Sequence, residues 1–288
     1  MPPSRPAEQR LDADLLRRWP LPDDESADKL GRGTVLIIGG SSATPGAVVL
    51  AGIAAMRSGA GRLELATASD VAPIVAVAVP EAMVVGLEAD ELGDLVERAD
   101  AIAVGPGMRD GEAAARLLEL VVTRARTEVP VIVDAQALRA LDAVPSAAAR
   151  GNVVLTPNRS ELQRLLGDEH DDPERRAAAR FGAAVACFGR VAAPDGSSYF
   201  DPETVSGLGT SGAGDVLAGL VVGLAARCGD GVQAAVWASL VHRLAADALA
   251  HRIGPVGYLA RELADEVPRL LQEMSTAFDA EGSPGGPR

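Results

Sequence analysis

Short runs of consecutive apolar residues recur along the chain, and stretches with helical spacing separate them. The runs are rich in Val, Ile and Ala and are bounded by Gly, Pro or Asp. This pattern is typical of strands that are buried on both faces of a parallel sheet. We predict strands at 34–38, 62–67, 82–85, 101–104, 131–133, 152–155 and 183–187, and a hairpin with a Pro-Asp-Gly turn at 192–200.

Between these runs the apolar positions recur every three or four residues, which predicts helices. The predicted helices cover 11–19, 47–58, 91–99, 112–127, 135–141, 160–166, 215–227, 231–250 and 256–274. Strands that alternate with helices indicate an α/β fold with a mostly parallel sheet covered on both faces. We expect one domain at 31–274, a polar and partly helical N-terminal extension at 1–30, and a disordered Gly/Pro-rich tail at 275–288.

The stretch 204–219, TVSGLGTSGAGDVLAG, joins a glycine-rich loop to an apolar helix. Backbone N–H groups of such a loop, together with the positive end of the helix that follows, favour a phosphate group. Asp215 lies in the first helical turn, where its carboxylate is able to take a proton from a substrate hydroxyl beside that phosphate. The structural alternative is that the glycines form only a turn and that Asp215 only caps the helix.

Four other polar or glycine-rich loops follow predicted strands directly. They are Gly39-Gly40-Ser41, Gly105-Pro106-Gly107, Asp134, and the stretch 156–161. Loops at the carboxyl end of a parallel sheet border one crevice, so we expect these loops to lie together. Each also has a local explanation as a turn, a helix cap or a first-turn acid.

The formal net charge of −13 argues against nucleic acid or an anionic membrane as the partner. The chain contains a single lysine, Lys29, so a bound phosphate must be met by backbone N–H groups, arginine and a metal ion. No apolar run is long enough to span a bilayer, and the first residues lack the apolar core of a signal peptide. Cys187 and Cys228 form no Cys-x-x-Cys pair, which fits a reduced, cytoplasmic compartment.

The block 33–67, GTVLIIGGSSATPGAVVLAGIAAMRSGAGRLELAT, resembles the opening block of the ADP- or ATP-dependent NAD(P)H-hydrate dehydratases. The blocks AIAVGPGM, PVIVDAQAL, VVLTPNRSEL and GTSGAGDVLAG follow in that family's order and spacing. The resemblance covers about 31–271, and its GAGD block is shared by the wider ribokinase-like superfamily. It implies a ribokinase-like three-layer α/β/α sandwich that repairs hydrated NADH or NADPH. A nucleotide phosphorylates the added hydroxyl group, and phosphate is then eliminated.

The resemblance also implies roles for individual residues and for other molecules. Asp215 would deprotonate the hydroxyl group. ADP or ATP would donate the phosphoryl group, and Mg²⁺ would be the metal cofactor. Family members are often homo-oligomers, and some carry an epimerase domain, which we expect on a separate chain here. By position, the nucleotide would contact Gly189, Gly212, Ala213 and Gly214; the hydrate would contact Ala47, Gly107, Asn158 and Asp215; and the metal ion would contact Glu161.

Two segments depart from the family pattern. The family's TPHPGE reads TPNRSE here, so Asn158 replaces a histidine and forms the N-x-x-E pattern of the wider superfamily. Phe188 stands where the family has the lysine of a Leu-Lys-Gly, and the loop that follows is shorter. Loss of a lysine beside phosphates weakens nucleotide binding, and Arg190 is the candidate replacement. Two alternative functions therefore stay open: a ribokinase-like kinase for another small alcohol, and a catalytically weakened homologue that only binds a nucleotide.

Overall fold

The computed structural model describes residues 8–22, 31–167, 171–203 and 206–282. The strands of this part of the chain form one ten-stranded sheet in the order β1-β10-β9-β8-β7-β6-β5-β2-β3-β4. All neighbouring strands are parallel except for the pairs that β9 makes with β8 and β10. The strands are β1 (Gln9–Arg10), β2 (Thr34–Ile38), β3 (Arg62–Thr67), β4 (Ala82–Gly86), β5 (Ala101–Val104), β6 (Val131–Val133), β7 (Val153–Leu155), β8 (Ala184–Cys187), β9 (Arg190–Ala192) and β10 (Ser198–Phe200).

Helices cover both faces of the sheet, because successive side chains of each buried strand point to opposite faces. On β2, Val35 and Ile37 belong to one apolar core, while Leu36 and Ile38 belong to the other. The first core is closed by α1 (Ala13–Arg18), α2 (Pro45–Arg57), α3 (Ala72–Ala78), α10 (Ala213–Cys228), α11 (Gly231–Arg252) and α12 (Ala260–Gly282). The second is closed by α4 (Leu92–Arg98), α5 (Gly111–Arg124), α6 (Ala135–Leu138), α7 (Pro145–Ala149), α8 (Arg159–Leu166) and α9 (Pro173–Phe181).

This three-layer α/β/α architecture confirms the predicted fold class, and the predicted strands lie within about one residue of the observed ones. The sequence analysis missed β1, α3, α7 and α9. In the described part of the chain, no helix has both the length and the apolar character needed to cross a bilayer. The predictions for residues 1–7, 23–30 and 283–288 lie outside the described residues.

The predicted disorder from Ser275 onward is wrong for the first part of the tail, because α12 continues to Gly282. Phe278 extends the apolar face of this helix by one turn beyond Met274. Its ring packs edge-on against Trp237, with 6.1 Å between the ring centroids. The guanidinium group of Arg17 lies 5.4 Å from the Phe278 centroid, so this turn is held to both α11 and α1. The Gly/Pro composition of the last residues concealed this apolar contact.

Helix α10 lies unusually close to α2, and two glycines make this approach possible. A Cβ atom at Gly219 would collide with the backbone of Ala51, and one at Gly223 would come 2.7 Å from the carbonyl oxygen of Ala55. Real Cβ atoms do not tolerate such distances to backbone atoms, which cannot move aside as a flexible side chain does. The glycines therefore fix the spacing between α2 and α10.

We expect Gly219→Ala to destabilise the fold by about 1–3 kcal/mol, because the added methyl group forces the two helices apart. Gly93→Ala in α4 is the matched control: its Cβ would meet only the guanidinium group of the flexible Arg124 side chain, with Nη1 nearest at 3.1 Å. That substitution gains helix propensity and should be neutral or stabilising by up to about 1 kcal/mol. Urea unfolding of both variants measures the difference; equal stability of the two variants would contradict the proposed close contact.

Candidate active site

The candidate site lies where the strand order of the sheet reverses, between β2 and β5. The chain continues from β2 to β3 and β4 on one side, and from β5 to β6, β7 and β8 on the other. The loops after β2 and β5 are bonded together at the carboxyl end, where the N–H of Gly40 donates to the carbonyl of Pro106 at 2.7 Å. Open α/β sheets bind ligands in the crevice outside such a reversal point.

Two predicted substrate-contact residues, Ala47 and Gly107, are direct neighbours on one wall of this crevice. A Cβ atom at Gly107 would lie 2.6 Å from the Ala47 Cβ and 2.7 Å from the Thr44 carbonyl oxygen. Gly107 has a φ of +69°, which a larger residue rarely adopts. The Thr44 hydroxyl donates to the carbonyl of Gly107 at 2.7 Å and joins the two loops. A side chain at Gly107 would therefore collide with Ala47 and Thr44, so this part of the wall carries only small residues.

The glycine-rich stretch forms the N-terminus of α10, as predicted. Gly212 is the N-cap residue with a φ of +90°, and the N–H of Ala213 donates to the Thr210 carbonyl at 3.1 Å. In the described residues, the N–H groups of Gly214 and Asp215 have no backbone acceptor. A Cβ atom at Gly214 would have no neighbour within 4 Å, so this backbone is open to a ligand. Exposed N–H groups at a helix N-terminus form an anion site.

Asp215 is half-buried beside these N–H groups. Burial, and next to it the negative charge of Glu161, raises the pKa of Asp215 to about 6. A carboxyl group with a pKa near the working pH is suited to proton transfer, because it is mostly ionised yet binds a proton readily. The predicted base therefore has the electrostatic environment that the role requires.

His242 of α11 lies beside the first residue of α10, Ala213. It is buried, which lowers its pKa to about 4, and its hydrogen bond to the Ala213 backbone only partly opposes this. The imidazole is consequently neutral at neutral pH and contributes a directed hydrogen bond rather than a charge. Ala213 is the first residue of α10 and lies two positions before Asp215.

Asn158 and Glu161 form a reciprocal cap at the start of α8. The Asn158 side-chain oxygen accepts from the Glu161 N–H at 3.0 Å, and Oε2 of Glu161 accepts from the Asn158 N–H at 2.9 Å. The N-x-x-E pattern at this position therefore forms a capping box, which is its local structural role at the start of α8. It leaves the Asn158 amide group and, among the described residues, Oε1 of Glu161 without a partner. The cap orients the pair without consuming all of its polar atoms.

Asp134 is the deepest carboxyl group of the site. Its side chain is buried and accepts a hydrogen bond from the Thr156 hydroxyl at 2.8 Å. Burial raises the pKa of Asp134 well above its usual value, and the charges of Asp215 and Glu161 raise it further. The next residue, Ala135, has a φ of +48°, a strained backbone conformation of a kind found at functional sites. Asp134 is the N-cap residue of α6, but its side chain forms no cap hydrogen bond, so the helix-cap explanation does not account for its carboxylate.

In the described part of the chain, the contacts of Gly189 are with Asp201 and not with the other predicted site residues. Together with Phe188 it forms the two-residue turn between β8 and β9, and both residues have positive φ, at +48° and +74°. The Gly189 carbonyl accepts from the N–H of Asp201 at 2.7 Å, and the buried Asp201 carboxylate is paired with Arg243. The turn is therefore held to α11 through Asp201.

A separate surface depression of about 410 Å³ lies at the opposite, amino end of the strands, beside Gly33, Asp100, Pro130 and Arg227. None of the sequence-predicted site residues borders it. Ligands of open α/β sheets bind at the carboxyl ends, so we place the site at the glycine-rich rim instead.

Comparison with known proteins gives consistent results over most of the chain. A family model described as NAD(P)H-hydrate dehydratase matches residues 35–269. An ADP-dependent (S)-NAD(P)H-hydrate dehydratase from Xanthomonas campestris is 41% identical, over 93% of this chain and 98% of its own length. A bifunctional NAD(P)H-hydrate repair enzyme from Escherichia coli is 33% identical, and the match spans 53% of that longer protein.

Solved structures agree with this relationship. An ADP/ATP-dependent NAD(P)H-hydrate dehydratase from Bacillus subtilis, co-crystallised with ATP and Mg²⁺, has a TM-score of 0.80 and 28% identity. The match covers 93% of this chain and 99% of that one. A hydroxyethylthiazole kinase from Pyrococcus horikoshii, with a TM-score of 0.57 and 19% identity, shares the fold alone.

We expect Asp215→Asn to stabilise the protein at pH 7 by about 1–3 kcal/mol. The pKa of Asp215 is about 6 in the folded protein against a reference of 3.8, so between these values the folded state holds a proton that the unfolded state has lost. Stability therefore falls as pH rises through this window, and the neutral amide avoids that cost. Urea unfolding at pH 7 and pH 4 measures it. The gain should vanish at pH 4; a loss of stability at pH 7 would contradict the raised pKa.

Proposed function

The chain belongs to the NAD(P)H-hydrate dehydratase family, and we propose that it restores NADH or NADPH from the hydrate of that cofactor, with ADP or ATP as phosphoryl donor. The hydrate's hydroxyl oxygen attacks the terminal phosphorus of the nucleotide and displaces the nucleotide shortened by one phosphate. The C–O bond then breaks, phosphate leaves with the bonding electrons, and a proton is lost from the adjacent ring carbon, which restores the ring double bond. The observation that carries this proposal is the open helix N-terminus at Gly212–Gly214 beside Asp215, whose pKa is about 6.

In this reaction Asp215 accepts the proton of the attacking hydroxyl group. At pH 7 its carboxylate is mostly ionised, and the raised pKa makes it a stronger base than an ordinary aspartate. The N–H groups around Gly212, Ala213 and Gly214 stabilise negative charge on the phosphoryl group as it moves. His242 is neutral at pH 7 and therefore adds no competing charge beside Ala213.

The hydrate is proposed to lie against the wall that Ala47 and Gly107 form. The tight contact between these residues leaves no large side chain between the wall and a ring that lies against it. The unpartnered amide group of Asn158 is a donor for the hydrate's polar atoms, the role that the family histidine has by position. Gly189, in the turn after β8, is proposed to border the nucleotide.

Magnesium is the proposed metal, and the residues present fit it. Asp134, Glu161 and Asp215 offer carboxylate oxygens, the ligands that Mg²⁺ prefers. In the described residues, no group of three His, Cys, Asp or Glu side chains is close enough to hold an ion alone, which fits a cation held jointly with nucleotide phosphates. Oε1 of Glu161 is the available protein ligand, directly or through water. When bound, the ion neutralises phosphate charge.

Two partners are also proposed. Bifunctional repair enzymes among the relatives match this chain over 53% of their length, which supports an epimerase as a partner that acts on the same hydrate. Self-association into a homo-oligomer is proposed from the family resemblance, and sedimentation velocity measures it.

The function is tested by mixing chemically hydrated NADH with the protein, Mg²⁺ and either ADP or ATP. Recovery of the absorbance band of the reduced nicotinamide reports dehydration, and comparison of the two nucleotides identifies the donor. A small-alcohol kinase would consume nucleotide with other alcohols without restoring this band. A homologue that only binds nucleotide would restore it with neither donor, and this outcome would overturn the proposal.

We expect Asp215→Asn to reduce kcat by about 10²–10⁴-fold while ADP binding persists, because only the proton transfer is lost. Asp94→Asn, at an exposed carboxylate on α4, is the matched control and should keep full activity. Steady-state rates and ADP titration of both variants provide the measurement. Normal turnover by Asp215→Asn would mean that another group is the base.

We expect kcat/KM to rise with pH up to about 6 and then to level off, because the reaction needs ionised Asp215. Titration of ADP binding over the same pH range separates the ionisation of the nucleotide from that of the enzyme. A rate that is independent of pH between 5 and 7, after this correction, would contradict the assignment.

A further inference from the structure

We infer that Arg159 binds the phosphates of the nucleotide and that the ring of Phe188 holds its guanidinium group in position. The inference rests on the proposed function and adds a binding residue to it. The Arg159 guanidinium carbon lies 4.5 Å from the centroid of the Phe188 ring, within the range of a cation–π contact. Arg159 begins α8 after β7, and Phe188 follows the neighbouring strand β8. Both therefore stand at the carboxyl edge of the sheet.

The acidic side chains of the site would repel the phosphates of a nucleotide unless a cationic side chain lies nearby. The negative charges of Asp215 and Glu161 raise the pKa of Asp134, and the charge of Glu161 raises the pKa of Asp215, so these carboxyl groups lie close together. A nucleotide brings further negative charge to the same edge, and backbone N–H groups carry only partial charges. A cationic side chain at this edge offsets the repulsion, and an arginine fits phosphate geometry better than a point charge does.

Among the described residues, three arginines near this edge, Arg190, Arg243 and Arg164, are already engaged. Arg190, the replacement suggested by the sequence, is paired with Glu8 and lies 5.7 Å from the Phe200 ring, so that suggestion is not supported. Arg243 is paired with Asp201 and Asp247. Arg164 donates to the Ser160 carbonyl and hydroxyl oxygens. Arg159, by contrast, forms no hydrogen bond or ion pair with the described residues, and the Phe188 ring leaves all its N–H donors available.

The conformation of Phe188 points to the same role. Its φ of +48° is a rare backbone conformation for a bulky residue, and its side chain is 57% exposed. Asn or Gly would fit this turn position with less strain, and a polar residue would avoid the exposed ring. An aromatic ring at this position restricts the motion of the Arg159 guanidinium group, which accounts for a phenylalanine in this turn. The two departures from the family pattern, at 156–161 and at 188, are thus in contact with each other.

The test compares ADP and adenosine binding by calorimetry in the absence of hydrate. Arg159→Ala should weaken ADP binding by about 10-fold and reduce its salt dependence, since one cationic contact with phosphate is lost. Adenosine binding should not change. Arg164→Ala, an exposed arginine on the same helix, is the matched control and should bind both ligands like the unaltered protein. Thermal unfolding checks that each variant is folded.

Variants of Phe188 test the second half of the inference. Phe188→Ala should weaken ADP binding by a few-fold, and the same change made on top of Arg159→Ala should have no further effect. Phe188→Lys should tighten ADP binding and should restore it in the Arg159→Ala background. Additive losses in the double variant would overturn the role of the ring.

Two negative outcomes are distinguishable. If the unaltered protein binds neither ADP nor ATP, the nucleotide-dependent function itself fails and this inference fails with it. If the unaltered protein binds ADP and Arg159→Ala binds it equally well, only the role of Arg159 is overturned.

Discussion

The close packing of α10 on α2 is the contact on which the site depends. Gly219 and Gly223 allow α10 to approach the backbone of α2, and Gly212 packs against Leu50 at the upper end of the same pair. One end of α2 carries Ala47 and the wall of the crevice, and the start of α10 carries Asp215. The spacing of two apolar helices in the core therefore sets the distance between the proposed substrate wall and Asp215, the proposed base.

The layout of the sheet could be predicted from the chain because its strands are continuous apolar runs that admit few other structures. The loops could be placed because parallel strands bring their carboxyl ends to one edge. Ala47 and Gly107 are neighbours although 60 positions separate them, and only the pairing of β2 with β5 explains that contact. The elements that were missed depend on tertiary contacts: β1 has only two residues and pairs at the sheet edge with β10.

The carboxyl groups of the site show where sequence reasoning stops. A residue type and a spacing identify Asp134 and Asp215 as acids near helix starts, but burial decides how they titrate. Asp134 is enclosed and bonded to Thr156, whereas Asp215 is only half-buried at an open helix end. Their pKa values are consequently raised to different extents by the same fold. Side-chain depth of this kind has no signal in a single sequence.

The raised pKa values also explain how an acidic protein prepares a site for an anionic ligand. Without a ligand, burial and the charges of neighbouring carboxylates favour the protonated forms of Asp134 and Asp215. The negative charge of the crevice is therefore lower at pH values below their raised pKa values. A cation or an arginine near phosphate reverses this balance, because it favours the ionised carboxylates. Ligand charge and carboxylate ionisation are then linked, so the proposed base, Asp215, would be fully ionised with the proposed nucleotide and cation bound. The strained residues Ala135 and Phe188 flank this region, which is where a fold holds strain that its function uses.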